Sequence, residues 1–250
     1  MSEPAQSRGL EALMPAEMAL VCEAAGKAKA GRDALALVIL GVLAGAFIAF
    51  GANFMTVVLT GSGDVPWGMA RLLGGMVFSV GLILVIVGGA ELFTGDALMI
   101  VACASNRISV ASLMRAWILV YLGNILGALA MAVMVFLSGQ HGFSGGSVGK
   151  TALTIATAKA ALPTLQLFVL AVLCNVLVCL AVWMSFGARS SSGKVLVIIP
   201  PVAAFVAAGF EHSIANLYLL PYALMIKCWA APEFWSAIGA TAADYSALTV

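Results

Sequence analysis

Gly209-Phe210-Glu211-His212-Ser213-Ile214-Ala215-Asn216 sets a carboxylate and an imidazole inside otherwise apolar sequence. The run Val202–Gly209 precedes the pair and Ile214–Leu220 follows it. Ionisable groups at membrane depth are costly and persist mainly where they face a bundle interior or an aqueous path. A second polar interruption, Glu91-Leu-Phe-Thr94-Gly95-Asp96, divides another apolar helix 120 residues earlier. Two broken helices at comparable places in two halves point to a solute path at the repeat interface.

Composition agrees with a membrane setting. Hydrophobic residues form 63% of the 250-residue chain, charged residues 9%, and the mean hydropathy is +1.10. Soluble domains average roughly 45–50% apolar and about 25% charged residues, so a polytopic all-α membrane protein is expected. The net charge of +1 comes with no basic stripe, which argues against a nucleic-acid partner. Five cysteines (22, 103, 174, 179 and 228) lack metal-ligand grouping, and Cys174 and Cys179, inside an apolar run, read as small core residues; no metal or other cofactor is expected.

Residues 1–32 are polar to amphipathic, with Met14, Met18, Leu20 and Val21 suggesting an apolar stripe on a short helix against the membrane face. Residues 33–250 form the expected channel domain. Its spans run about 34–59, 67–104 with a break at 91–96, 111–137, 165–186, and 194–226 with a break at 210–216. A repeat of about 33–138 and a second of about 160–250 follow, and a sixth span would complete the second. The chain stops where that span would start, so a longer chain is expected. Alternating the loops puts eight basic residues on the N-terminal side (Arg8, Lys27, Lys29, Arg32, Arg107, Arg115, Arg189, Lys194) against four on the other (Arg71, Lys150, Lys159, Lys227). The positive-inside rule then places the N-terminus in the cytoplasm.

Gly41/Gly45 and Gly123/Gly127 have small-xxx-small spacing, expected to serve helix packing within one subunit. His212 titrates near ~6.5 when unperturbed, so a weak-acid anion in the pore would share or induce a proton there. Thr94 offers a hydroxyl from the opposite break, or simply caps its helix. Asp96 reads as capping or solvent-facing.

Gly88–Gly95, Cys174–Ser185 and Gly209–Asn216, with Tyr121–Gly127 and Pro232–Trp235, resemble the formate/nitrite transporter family, most closely its bacterial formate channels. The resemblance covers about residue 30 to the end. It implies an aquaporin-like inverted repeat of three plus three helices, a pore in each subunit of a homopentamer, and a place in the bacterial inner membrane with cytoplasmic termini. It further implies that Glu211 orients the region beside His212 in a network with Asn175 and Lys159. Lys159, otherwise an ordinary loop lysine, would draw anions into a vestibule. Phe78, Leu82, Phe93 and Phe205 would be apolar constrictions, and the N-terminal segment a pH-responsive cover. Formate, with protons, is the implied cargo. Nitrite or hydrosulfide is the alternative within the family. A water or polyol channel is remote, since neither break carries Asn-Pro-Ala. An enzyme would need a nucleophile and base, or a metal cluster, beside His212. The other histidine, His141, lies in the polar 138–149 loop.

Overall fold

The computed structural model describes residues 12–249, and every regular element among them is helical. The first half holds α1 (Pro15–Ala30), α2 (Ala34–Leu59), α3 (Trp67–Gly88), the short α4 (Phe93–Asp96) and α5 (Met99–Ala104), and α6 (Val110–Leu137). The second holds α7 (Ser147–Ala160), α8 (Thr164–Gly187), α9 (Ser191–Ala207), α10 (Ser213–Trp229) and α11 (Pro232–Ile238). Helices α2, α3, α6 and α8 are each long and apolar enough to cross a membrane, as expected.

Packing repeats between the halves. Helix α1 lies on α5 and α8, while α7 lies on α10 and α2; α2 packs on α3 as α8 packs on α9. Each half therefore enters its first long helix from a shorter helix, and each breaks its next helix near the centre. In the first half α2 also packs on α6. No helix among the described residues stands in the same relation to α8, whose outer face (Leu165, Phe168, Val172, Val176, Leu180) is uncovered.

Glycines set the α2–α6 distance. A Cβ on Gly41 would lie 2.8 Å from the Val120 carbonyl oxygen, and one on Gly123 would lie 2.9 Å from the Gly41 Cα. A Cβ on Gly127 would run into the Val42 carbonyl oxygen. Lipid supplies no hydrophobic drive between spans, so this close backbone approach is what gathers dispersion contacts. The glycine pairs thus pack helices within the subunit, as expected.

One expectation is corrected. Helix α7 begins inside the segment read as a loop and carries Lys159 in its last turn. In α1, Met18, Cys22 and Gly26, at helical spacing of four, are covered by α5 and α8, while Met14, Leu20 and Val21 are exposed. Arg8, counted for orientation, lies outside the described residues.

Candidate functional site

The two breaks share one construction. Gly89 (φ 78°) ends α3 and Gly209 (φ 76°) ends the α9 segment, both in the left-handed region where glycine carries no Cβ penalty. The Ala90 N–H then donates to Val85 O at 2.9 Å, and the Phe210 N–H to Phe205 O at 3.0 Å. One residue on, the Glu91 N–H donates to Leu40 O of α2 (3.2 Å) and the Glu211 N–H to Leu170 O of α8 (3.3 Å). The first break is tighter than expected, spanning residues 89–92, so Thr94 and Asp96 sit in the helical turn α4. The second spans residues 208–212, leaving Asn216 inside α10. Buried Asn124 of α6 completes the first break. It accepts the Phe93 N–H (2.9 Å) and donates to Gly41 O (2.8 Å) and Glu91 O (3.0 Å). These bonds satisfy backbone groups that no water reaches.

At the centre, Thr94 Oγ1 and His212 Nε2 lie 3.2 Å apart, joining the two breaks. His212 is also the N-cap of α10, its Nδ1 accepting the Ala215 N–H at 3.1 Å. An accepting Nδ1 has no hydrogen, so the neutral ring carries its proton on Nε2 and aims it at Thr94. Both residues are buried and line a cavity of about 260 Å³ with Phe93, Asn175 and Glu211.

Each end of this centre holds an ion cluster. At one end Lys159 of α7 donates to Glu211 Oε2 at 2.6 Å, and Asn216 Nδ2 donates to the same oxygen at 2.9 Å. At the other, Lys29 of α1 donates to Glu91 Oε2 and Asp96 Oδ1, each at 2.5 Å, and Arg32 pairs with Glu91. Burial works against the Lys29 charge, but Asp96 and Glu91 outweigh it and raise the pKa above the ordinary lysine value. The ends are opposite ones. Helix α3 runs from Arg71, in a pocket with Lys159 and His212, to Val85 and Ile86, in a cavity of about 200 Å³ with Lys29 and Glu91.

The structure brings together His212, Thr94, Glu211 and Lys159. Asn175 lines the central cavity but donates only to Cys179 Sγ (3.7 Å), and its carbonyl oxygen is unpartnered; Asn216 takes the place expected for it beside Glu211. Phe78 and Phe205 meet edge-on with centroids 5.6 Å apart, and both contact the His212 ring, at 6.1 and 5.9 Å. Leu82 is buried and faces the Lys29 cavity. Phe93 lines the cavity beside Thr94 and His212 and packs on Tyr121 at 5.0 Å.

Asp96 does not face solvent. It is 2% exposed and paired to Lys29, because α1 folds back over α5. Lys29 was missed as a site residue, although it ends the helix before span one just as Lys159 ends the helix before span four. Gly142-Phe-Ser144-Gly-Gly146 has Gly-x-Ser-x-Gly spacing, but it forms an exposed turn ahead of α7 rather than the strand-to-helix corner that serves as a nucleophile elbow. Neighbouring His141 is stacked on Phe136 at 5.1 Å, and burial pushes its pKa below the ordinary value.

Comparison with known proteins places this geometry. The family model for the formate/nitrite transporter matches residues 16–248. The chain is 44% identical over 238 residues to the formate channel FocA of Escherichia coli strain K12, covering 95% of this chain and 84% of that one. It is 38% identical over 248 residues to the formate channel FocA of Haemophilus influenzae, covering 99% and 87%. Among solved structures, a pentameric formate channel with formate bound superposes with a TM-score of 0.84 at 45% identity, covering 87% of this chain and 85% of that one. The chain belongs to the formate/nitrite transporter family, and it is a multi-pass membrane protein.

Proposed function

We propose that this family member is one subunit of a homopentamer in the bacterial inner membrane, with its N-terminus in the cytoplasm, and that each subunit passes formate without altering it chemically. The likeness to formate channels supports the cargo and the assembly. The observation that carries the mechanism is the 3.2 Å Thr94–His212 contact between two broken helices, with apolar rings on its flank. The repeats, about 33–138 and 160–250, would each contribute one of these two groups.

An anion entering the centre finds two donors, the His212 Nε2–H and the Thr94 hydroxyl, which exchange their mutual contact for the anion. Phe78 and Phe205 on one side and Leu82 on the other keep water away, so each donor counts for more than it would in bulk water. Full protonation of His212 would place a hydrogen on Nδ1 opposite the Ala215 N–H and break the cap of α10. A formate anion at Nε2 offsets that cost. Proton sharing is therefore coupled to anion occupancy and to release of the α10 cap. Glu211 holds Lys159 at one mouth, Glu91 holds Lys29 at the other, and Asn175 lines the central cavity between them. The N-terminal helix covers the Lys29 mouth.

Labelled formate uptake into proteoliposomes of this protein at several external pH values, with nitrite and hydrosulfide as competitors, tests the assignment. Saturable, pH-responsive formate flux is the expected result. Fast nitrite or hydrosulfide flux without formate flux would change the cargo. No flux of any of the three would overturn transport.

A further inference from the structure

Arg71 is the one charged residue lining the Lys159 pocket that makes no ion pair among the described residues. The pocket also holds Lys159, Asn216, His212, Phe78 and Phe205. Glu211, the carboxylate beside it, is committed to Lys159 at 2.6 Å and to Asn216 at 2.9 Å. That pair cancels, which leaves the guanidinium as the net charge of this mouth. Arg71 Nε is buried with no hydrogen-bond partner, although a buried guanidinium N–H ordinarily finds an acceptor. Its position is fixed from two sides. The guanidinium carbon stands 5.5 Å from the centroid of the exposed Trp67 ring, and a Cβ on Gly209 would lie 3.4 Å from Nη2, so the group reaches back to the break that carries Glu211.

We propose that Arg71 is an anion-capture residue, which takes a small carboxylate at the mouth and passes it by Lys159 to the Phe78–Phe205 neck. The inference rests on the transport reading above and adds the outer binding step to it. Three features fit a carboxylate. The guanidinium fork matches two oxygens, which an ammonium does not. The unpartnered Nε supplies a donor for which the protein provides no acceptor. The pocket, about 40 Å³, is room for a formate-sized anion where one water needs at least about 10–15 Å³ on the same measure. Trp67 holds the guanidinium by a cation–π contact at the rim, so that side chain is preset before the anion arrives.

Concentration dependence of formate flux in proteoliposomes, for the wild-type protein, Arg71→Gln and Arg71→Lys at low and high salt, tests this. Loss of the charge is expected to raise the half-saturating formate concentration by about five- to tenfold at low salt, with maximal flux changed less than about twofold. The gap should narrow at high salt, where the screening length falls from about 10 Å at 0.1 M to about 3 Å at 1 M, and Arg71→Lys should recover part of the affinity. An Arg71→Gln curve that overlays the wild type at both salts overturns the proposal. A fall in maximal flux alone, unrelieved by lysine, also overturns it, since that marks a packing role. If the wild type carries no formate, the transport reading fails on its own. Formate binding to the detergent-solubilised protein by calorimetry then decides Arg71: binding lost in Arg71→Gln supports it, and unchanged or absent binding sinks it.

Discussion

His212 accepts the Ala215 N–H through Nδ1 at 3.1 Å, so the ring that meets Thr94 is also the N-cap of α10. Asparagine caps a helix about as well as any residue, so His212→Asn keeps the start of α10 while removing the titrating group. The expected outcome is a flattened pH profile of formate flux with a melting temperature shifted by no more than about 2–4 °C, the size of a roughly 1 kcal/mol change in a chain of this length. A wild-type pH profile in this variant would sink proton sharing at His212.

Lys29 serves two buried carboxylates, Glu91 and Asp96; removing it strands Asp96, while Glu91 keeps Arg32. Breaking a buried pair by deleting one partner costs about 3–5 kcal/mol, and Lys29→Met is expected near the lower end because its side chain is 28% exposed. Adding Asp96→Asn removes the stranded charge and should restore about 1–2 kcal/mol, a coupling that a double-mutant cycle on thermal unfolding in detergent reads directly. The pH sign follows from the raised Lys29 pKa. The pair's contribution is complete below the unfolded lysine value near ~10.4 and is lost only as pH rises through the higher folded value. Mild alkali, to about pH 9, should therefore leave the α1 dock intact, and α1 released at that pH would show the ion cluster is not what holds it.

How far the site is legible in the sequence depends on the reach of each contact. Both breaks are visible because a glycine and a glutamate interrupt apolar runs, and that pattern is local. Helix α7 is hidden, because Ser147–Ala160 is rich in threonine and alanine and its apolar residues only cover a neighbour. Lys159 consequently reads as a loop residue until α7 is seen packed on α10. Asp96 is misread for the same reason: its partner Lys29 lies 67 positions earlier, and no spacing rule connects the two. Asn175 and Asn216 are equally plausible neighbours of Glu211 by type. The five-residue step from Glu211 to Asn216 across the start of α10 decides between them.

Gly127 tests whether backbone approach holds α2 to α6. A Cβ there would strike the Val42 carbonyl oxygen and stand 2.9 Å from the Ala46 nitrogen, neither of which belongs to a flexible side chain. Gly127→Ala is expected to cost about 1–3 kcal/mol by overpacking, lowering the melting temperature in detergent. Gly63→Ala, with nothing within 4 Å, is the matched control and should stay within about 0.5 kcal/mol of wild type. Equal melting temperatures for the two variants would show that the helices separate freely and that the glycines are not needed for packing.

Phe205 is 2% exposed, edge-on to Phe78 and stacked on the His212 ring at 5.9 Å, so it packs the imidazole and, in the proposed path, would narrow the neck. Phe205→Ala is expected to cost about 3–5 kcal/mol of stability as a buried large-to-small change, which confounds a transport readout. Phe205→Leu keeps most of the buried apolar surface while removing the ring, and is the cleaner probe. In that variant acetate flux should rise relative to formate, because the methyl group is what an apolar neck excludes by size. The pH profile of formate flux should also broaden, because the imidazole loses its stacking surface. Selectivity unchanged in Phe205→Leu, with acetate still excluded, would place the narrow point away from the Phe78–Phe205 pair and leave Leu82 as the ring to test next.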